Sequence, residues 1–568
     1  MQKIVSKSGL NFFFDFVLRF IVLSIFATVV AILGKPVFGT TDDNILAGFV
    51  DGSYTGERES KLIFIRPLIG TILNIFQELL PNMGVYSIFL LALLIASFSN
   101  FGTLISSRSE NSFSQKIFNS LWLLTSIPII SWFTLNPTYT AASMVITLVS
   151  LMSLVILIFS KNMKKLTFVV IMTTILFTFG FLIRPEGGIG IILVAIPVIS
   201  LIFLQQRSLN LPKLLITMFS LLIILGFDAV SQSKLNNSDW EEYDKWNNLR
   251  HQVQHREGQN YLGQLQTVND WTESETNLFM TLAFGDENTF NAEWLKPAFD
   301  STSFTRGVSG VINANIFEVL GKMLKILETY PYVIVVQLSV FLIILNSFQM
   351  NVLGKLKVFL AIYLTIVAAL YYMSATLHAP ERGVIPILYS STLMLITTIL
   401  FFKLKDNIKI TYISILCLGV IGLTMFSPKG ILESRSKNIV NTELAILTSK
   451  ELIEYNDKAI YIGPGNSEFY EYQNPYTNLA YWKTPIIITA GNWETFSPHW
   501  KKRLRFYGID QTSFYNELFK ENRFWFANPL PDTSYMVELY LREQGLADFN
   551  RQGALDLKSG YVLLQFTQ

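Results

Sequence analysis

Eleven apolar stretches, each long enough to cross a lipid bilayer as an α-helix, constrain this chain more than any other feature of its sequence. A spanning helix needs about 20 predominantly apolar residues. Charged residues make up 15% of the chain, against about 25% in soluble proteins, which excludes a soluble, disordered or nucleic-acid-binding chain. The sequence predicts an α-helical polytopic membrane protein. The expected spans are 12–34, 83–105, 118–135, 139–160, 166–183, 187–204, 212–231, 331–349, 358–376, 384–402 and 409–427.

One further apolar stretch, residues 62–80, differs from these spans because it is short and amphipathic. Counted from Pro67 it would extend about 21 Å as a helix, against about 30 Å of hydrocarbon. Polar residues, among them Asn74 and Gln77, recur on one of its faces. We expect this helix to lie in the membrane interface rather than to cross the bilayer.

The distribution of Lys and Arg tests this assignment independently. Basic residues in short loops collect on the cytoplasmic side of membrane proteins. With 62–80 interfacial and the N-terminus in the cytoplasm, the inner segments hold fourteen basic and two acidic residues, whereas the short outer turns hold only Arg184 and Arg382 as basic residues. Counting 62–80 as a span destroys this asymmetry. We therefore expect a multi-pass protein of the cell membrane.

This topology predicts two domains. Residues 1–427 would form a transmembrane module with outer loops 35–82 and 232–330, and residues 428–568 a small extracytoplasmic α/β domain. The apolar pattern of the tail predicts one helix and four strands. The single cysteine, Cys417, excludes an intrachain disulfide and a cysteine-based metal cluster. The tail strands are expected at 459–462, 485–489, 524–527 and 561–566, and the helix at 535–544.

An acidic pair, Asp42 and Asp43, follows the first span directly. Since the spans carry no ionisable residue away from the membrane edges, the sequence argues against an ion-coupled transporter and directs attention to this outer surface. A structural explanation is that Thr40 or Thr41 caps a short helix whose positive end attracts the carboxylates. The functional explanation is that one carboxylate takes a proton from an acceptor hydroxyl while its neighbour tunes the pKa.

Two predicted outer turns pair an arginine with a glutamate, Arg184 with Glu186 and Arg382 with Glu381, and the second turn also contains His378. A guanidinium fixed at this level can bind a lipid phosphate bidentately. Alternatively, each arginine pairs with its glutamate or with an ordinary headgroup. Arg66, at the start of the interfacial helix, is a third candidate phosphate contact.

In the loop 232–330, His251 and His255 are four residues apart. On a helix, two histidines at this spacing could bind one metal ion. Gln252 stands where zinc hydrolases carry a glutamate, so a solvated helix face is favoured and no metal site is predicted. Eight of the ten tryptophans lie outside the predicted spans. Their aromatic faces suit sugar rings, but they also suit protein cores and membrane-surface belts.

Together these features resemble the C-type glycosyltransferase superfamily, polytopic enzymes that take a sugar from a polyprenyl-phosphate carrier on the outer membrane face. The resemblance rests on Asp42 and Asp43, on two expected interfacial helices at about 42–50 and 67–80, on a second span that begins only after them, and on an outer C-terminal domain. Residues 40–80 are also similar to uncharacterised bacterial membrane proteins grouped with these enzymes, so we expect a bacterial source.

The resemblance implies an inverting transfer from a polyprenyl-phosphate donor to a cell-surface glycan, lipid or polymer. It assigns Asp42 or Asp43 as base and Arg184 or Arg382 as phosphate ligand, with no certain cofactor and a divalent metal as one possibility. The tail lacks the Trp-Trp-Asp signature of oligosaccharyltransferases, so transfer to asparagine is not expected.

Two alternatives remain open at the level of sequence. A polysaccharide polymerase or ligase also has many spans and a large outer loop, and would depend on Arg250, His255 and Arg256. A non-enzymatic transporter of lipid-linked glycans, or an assembly scaffold, would need neither acid of the pair for sugar transfer. In every case the membrane lipid is a partner and nucleic acid is not.

Overall fold

A computed structural model describes most of the chain. The described residues are 9–108, 112–159, 167–206, 209–254, 266, 270–301, 316–329, 351–376, 381–402, 428–456, 460–463, 473–477, 486–510, 514–515, 524–528, 531–545, 550–557 and 562–567. The helices are α1 (Gly9–Gly34), α2 (Thr41–Asp51), α3 (Pro67–Leu79), α4 (Val85–Ser107), α5 (Ser112–Leu135), α6 (Tyr139–Ile158), α7 (Thr167–Ile183), α8 (Pro185–Gln206), α9 (Leu211–Leu235), α10 (Ser238–Gln254), α11 (Glu273–Met280), α12 (Ala292–Ser301), α13 (Ile316–Thr329), α14 (Val352–Thr376), α15 (Glu381–Phe401), α16 (Pro428–Tyr455), α17 (Pro498–Phe506) and α18 (Pro531–Glu543). The strands are β1 (Ile460–Gly463), β2 (Ile486–Thr489), β3 (Phe524–Asn528), β4 (Asn550–Asp556) and β5 (Val562–Thr567).

Eight helices of the described chain are long and apolar enough to cross a membrane, namely α1, α4, α5, α6, α8, α9, α14 and α15. They coincide with eight of the predicted spans, because a run of about 20 apolar residues favours a helix that satisfies its own backbone hydrogen bonds. Helix α7 coincides with a ninth but has 17 residues. The predicted spans 331–349 and 409–427 lie outside the described residues. The total of eleven therefore stays a prediction.

Helix α6 lies at the centre of the bundle and packs against α4, α7, α8 and α15. Small residues allow this close packing: a Cβ added at Gly180 of α7 would lie 2.7 Å from the backbone nitrogen of Thr147 in α6. The peripheral helices α1 and α9 instead expose apolar side chains such as Ile25 and Phe219. Apolar outer faces around a tightly packed centre are what contact with lipid requires.

The two short helices of the first outer loop have different environments. Helix α2 ends at Gly52, whose φ of 77° is the left-handed conformation that terminates helices. Its residues from Asp43 to Val50 are all buried, so it is an interior helix rather than the interfacial helix that we expected. Bundle helices cover one side, and the tail covers the other through contacts to Phe49.

Helix α3 is amphipathic, as predicted. Two of its polar side chains point inward beside the buried Ile69 and Leu73: Asn74 donates to the Ser60 hydroxyl at 2.8 Å, and Gln77 is buried and donates to three backbone carbonyls. Its apolar residues Ile75 and Leu79 are exposed. This orientation suits a helix that rests its apolar face on lipid.

The tail contains a five-stranded sheet with the order β2-β1-β3-β5-β4. Strand β1 pairs in parallel with β2 and β3, whereas β5 is antiparallel to β3 and β4. The four strands and the helix predicted for the tail correspond to β1, β2, β3, β5 and α18. The sequence analysis missed β4, α16 and α17.

A second hydrophobic core, separate from that of the bundle, joins the tail to the loop 232–330. It combines Trp246 and Phe290 of the loop with Ile462 and Trp500 of the tail. Hydrogen bonds reinforce this packing, for instance from the Tyr540 hydroxyl to Asp286 at 2.9 Å. In the described chain, α10 to α12 and the tail therefore form a common packed layer, and the predicted domain boundary at residue 428 stays a prediction.

Candidate functional site

The predicted acidic pair lies at one end of the bundle, where α2, α4, α6, the α7–α8 turn and α15 meet. The chain that leads into α2 is fixed to the α5–α6 turn by backbone bonds from Val37 to Leu135 and from Gly39 to Pro137, at 3.0 and 3.2 Å. We call the cluster of Asp42, Asp43, Tyr139, Arg184 and Arg382 the bundle-end site. Its members come from four separate elements of the chain.

Asp43 is buried and accepts three hydrogen bonds. Thr40 donates its hydroxyl at 2.7 Å, and Tyr86 (hydroxyl) and Tyr139 (backbone N–H) donate at 2.8 Å each. Burial raises the pKa of Asp43 to about 7, although the three donors act in the opposite direction. Thr40 occupies the N-cap position, as expected, but its hydroxyl binds Asp43 instead of a backbone N–H. Asp43 thereby ties α2 to α4 and α6.

Asp42 is the accessible carboxylate of the pair. Its Oδ2 lies 3.1 Å from Nη1 of Arg382, and the two side chains are 22% and 26% exposed. Sequence analysis had selected both residues without predicting that they form an ion pair across 340 positions. The ion pair holds the Asp42 carboxylate in one orientation.

Arg184 binds neutral groups. Its Nη1 donates to the Tyr139 hydroxyl at 3.1 Å and to the Thr140 hydroxyl at 2.5 Å, and the guanidinium carbon lies 5.1 Å from the Tyr139 ring centroid. Among the described residues it forms no ion pair with a carboxylate, and Glu186 is exposed. The alternative that Arg184 pairs with Glu186 is therefore not what the structure shows. A half-buried guanidinium that pairs with no carboxylate of the described residues suits an anionic ligand.

Arg66 lies in a different environment. It forms an ion pair with Asp228 at 2.7 Å and also donates to Gln232, so it joins the start of α3 to α9. Asp228 is buried and accepts a further bond from the Leu68 backbone at 3.3 Å. These contacts give Arg66 a structural role in joining α3 to α9, and its phosphate-binding role stays a prediction.

Arg250 is buried and bound by its own helix. It donates to Asn247 at 2.8 and 3.0 Å and to Gln254, and it lies over the Trp246 ring. Burial lowers the pKa of its guanidinium. His255, His378 and the Glu381 side chain lie outside the described residues. Within the described part of the chain, no three His, Cys, Asp or Glu side chains are grouped so as to hold a metal ion.

Comparisons of the chain with known protein families, curated proteins and solved structures found no match. Its function must therefore be inferred from the chemistry of the bundle-end site.

Two residues of the tail that sequence analysis did not select approach this site. The Trp493 ring lies 4.7 Å from that of Phe64, which stacks on Tyr139 at 5.9 Å. Glu494 is fully buried, accepts a hydrogen bond from Thr489 at 2.7 Å, and its pKa is raised to about 7, mainly by burial, with a smaller contribution from Asp42. The only sequence signal was a tryptophan next to an acid shortly after an apolar run.

Proposed function

We propose that this chain is a membrane glycosyltransferase that moves a sugar from a polyprenyl-phosphate donor to an acceptor on a cell-surface glycan, lipid or polymer. The observation that carries the proposal is the bundle-end site itself. An accessible carboxylate, Asp42, shares one end of an apolar bundle with Arg184, which pairs with no carboxylate in the described part of the chain. A base and a phosphate ligand at a membrane surface are the groups that transfer from a lipid phosphate needs.

The structure suggests a separate role for each charged residue. Asp42 acts as the base and takes the proton of the acceptor hydroxyl, and Arg382 orients it. The acceptor oxygen then attacks the anomeric carbon as the bond from that carbon to the phosphate oxygen breaks, with inversion. Arg184 stabilises the negative charge that develops on the departing lipid phosphate. Asp43, being buried, positions α2 instead of touching the substrate.

The opposite end of the bundle has a different chemical character, which favours the predicted orientation. There Arg108 and Lys213 donate to the last carbonyls of α6, Ile156 and Leu157, at 3.4 and 2.9 Å. Basic residues at a helix C-terminus are favourable, and basic residues collect on the cytoplasmic side. We therefore place the bundle-end site on the outer face of the cell membrane.

Substitution of Asp42 tests the proposal. The full chain in lipid nanodiscs would be supplied with polyprenyl-phosphate sugars and hydroxylated acceptors, and release of polyprenyl phosphate measured. We expect Asp42→Asn to lower turnover by about a hundredfold or more, because the lost group is the base. Glu241→Gln, an exposed substitution on α10, is the matched control and is expected to keep wild-type turnover.

Wild-type turnover in Asp42→Asn would contradict the proposal. Loss of transfer only in Arg250→Ala would point instead to the polymerase or ligase alternative. Accumulation of intact lipid-linked product on the inner leaflet of cells lacking the protein, with Asp42→Asn fully active, would point to a transporter.

A further inference from the structure

The topology of the tail sheet directs attention to the segment 492–497. In sheets with parallel strands, ligands bind beyond the carboxyl ends of the strands, where neighbouring connections diverge. Strand β1 has β2 on one side and β3 on the other, and all three run parallel. The segment 492–497 follows the carboxyl end of β2, the edge where a ligand is expected, and leads into α17.

This same segment contacts the bundle-end site. Trp493 packs against Phe64, and Phe64 stacks on Tyr139, the residue whose hydroxyl accepts from Arg184. Trp493 also packs edge-on against Phe49 of α2 at 6.2 Å. The ligand-binding edge of the tail sheet therefore faces the end of the bundle that carries Asp42.

Among the residues that the structure describes, two polar atoms of the segment are buried without a hydrogen bond of acceptable geometry. They are Nε1 of Trp493 and Oε2 of Glu494, whereas Oε1 of Glu494 accepts the Thr489 hydroxyl at 2.7 Å. An unpaired buried donor or acceptor is costly and uncommon. The Tyr54 hydroxyl lies close enough to interact with the Glu494 carboxylate, so the Trp493 N–H is the group that most clearly lacks a partner among the described residues. A buried indole N–H without a partner, next to a buried acid, indicates that a ligand supplies one.

We propose that Trp493 and Glu494 bind the acceptor and that the acceptor is a sugar. The Glu494 carboxylate accepts a hydrogen bond from a sugar hydroxyl, the Trp493 indole N–H donates to a sugar oxygen, and the neighbouring aromatic rings contact the apolar face of the sugar ring. This inference rests on the proposed function and narrows its acceptor from a glycan, lipid or polymer to a glycan.

Acceptor binding requires the segment 492–497 to move. Trp493 is 5% exposed and Glu494 is fully buried, so a sugar enters only when the Trp493 ring separates from Phe64. The contact with Phe64 joins the tail to the first loop.

Ligand binding to the full chain in nanodiscs tests the inference with two kinds of probe. The first is a panel of methyl glycosides, and the second is farnesyl phosphate, which represents the donor lipid. Trp493→Phe keeps an aromatic ring but removes the N–H, and Glu494→Gln keeps the shape but removes the charge. We expect each to weaken binding of at least one glycoside about tenfold while leaving farnesyl phosphate binding unchanged. Glu241→Gln is expected to change neither.

Equal glycoside affinity in the wild type and Trp493→Phe would overturn the inference, as would a wild type that binds farnesyl phosphate and no glycoside. In both cases the donor half of the proposed function survives. Failure of the wild type to bind farnesyl phosphate would contradict the proposed function itself. Thermal unfolding of each variant separates lost binding from lost folding, and Trp493→Phe suffices if Glu494→Gln does not fold.

Discussion

At the scale of the residue, the two acids of the pair differ because successive residues of a helix point about 100° apart. Asp43 faces the interior and accepts three hydrogen bonds, whereas Asp42 faces the accessible side and pairs with Arg382. The two adjacent aspartates therefore have different environments and different partners. The pair was selected from the sequence, but only the packing of α2 separates the accessible carboxylate, which we propose as the base, from the buried one.

The pH dependence of stability tests the environment of Asp43. Burial raises its pKa from 3.8 to about 7, so the folded protein holds this proton more tightly than the unfolded chain does. The resulting contribution to the free energy of unfolding is fully present below about pH 4 and is lost as the pH rises to about 7. Because asparagine does not ionise, we expect the thermal midpoint of Asp43→Asn to fall less between about pH 5 and 8 than that of the wild type. Parallel curves would show that Asp43 stays ionised throughout.

At the scale of the element, the ion pair of Arg66 and Asp228 fixes α3 against α9. Asp228 is 2% exposed in its side chain and also accepts the Leu68 N–H at the first turn of α3. The short helix thus depends on a contact 162 residues away, which no local pattern reveals. Its amphipathic pattern, in contrast, was readable from the sequence.

A double-mutant cycle tests whether Arg66 is structural. Arg66→Met leaves the Asp228 carboxylate unpaired in an apolar setting, and we expect a loss of about 2 kcal/mol in unfolding free energy. Adding Asp228→Leu should recover most of that loss. Both unfolding and sugar transfer would be measured on the full chain. A stable double variant that has lost transfer would show that Arg66 contributes to the site and does not act only as a structural contact.

At the scale of the whole molecule, the chain has two polar ends with opposite chemistry, joined by an apolar bundle. The end with Asp42 is covered by a layer built from the tail and from α10 to α12. At the other end, Arg108 and Lys213 donate hydrogen bonds that cap the C-terminus of α6. Under the proposed function, this arrangement would place the acceptor and donor chemistry on one side of the membrane.

Cysteine labelling tests the orientation. In a Cys417→Ser background, a single thiol would be introduced by Tyr535→Cys on α18 or by Leu209→Cys between α8 and α9. Both positions are exposed, since the native Tyr535 and Leu209 are 61% and 45% exposed. We expect a membrane-impermeant maleimide to label position 535 in intact cells and position 209 only after lysis. Labelling of position 209 in intact cells would reverse the proposed orientation.

The sequence by itself determined the features that depend on local periodicity. Runs of about 20 apolar residues predicted the eight described helices that are long and apolar enough to cross a membrane, and short apolar runs in the tail predicted β1, β2, β3 and β5. The sequence also drew attention to Asp42 and Arg382 through their charge at the ends of apolar runs. These properties are local because hydrophobic patterning acts over a few turns of helix or strand.

Only the tertiary structure decided which of these residues meet. The ion pair of Asp42 and Arg382, the burial of Asp43 and the approach of Trp493 to Phe64 each join segments far apart in the chain. Such contacts depend on how the helices and the tail pack against each other. This packing cannot be inferred from the residues that neighbour each contact in the sequence. The sequence therefore determined the bundle and its candidate charges, and tertiary packing decided which charge is accessible and which is buried.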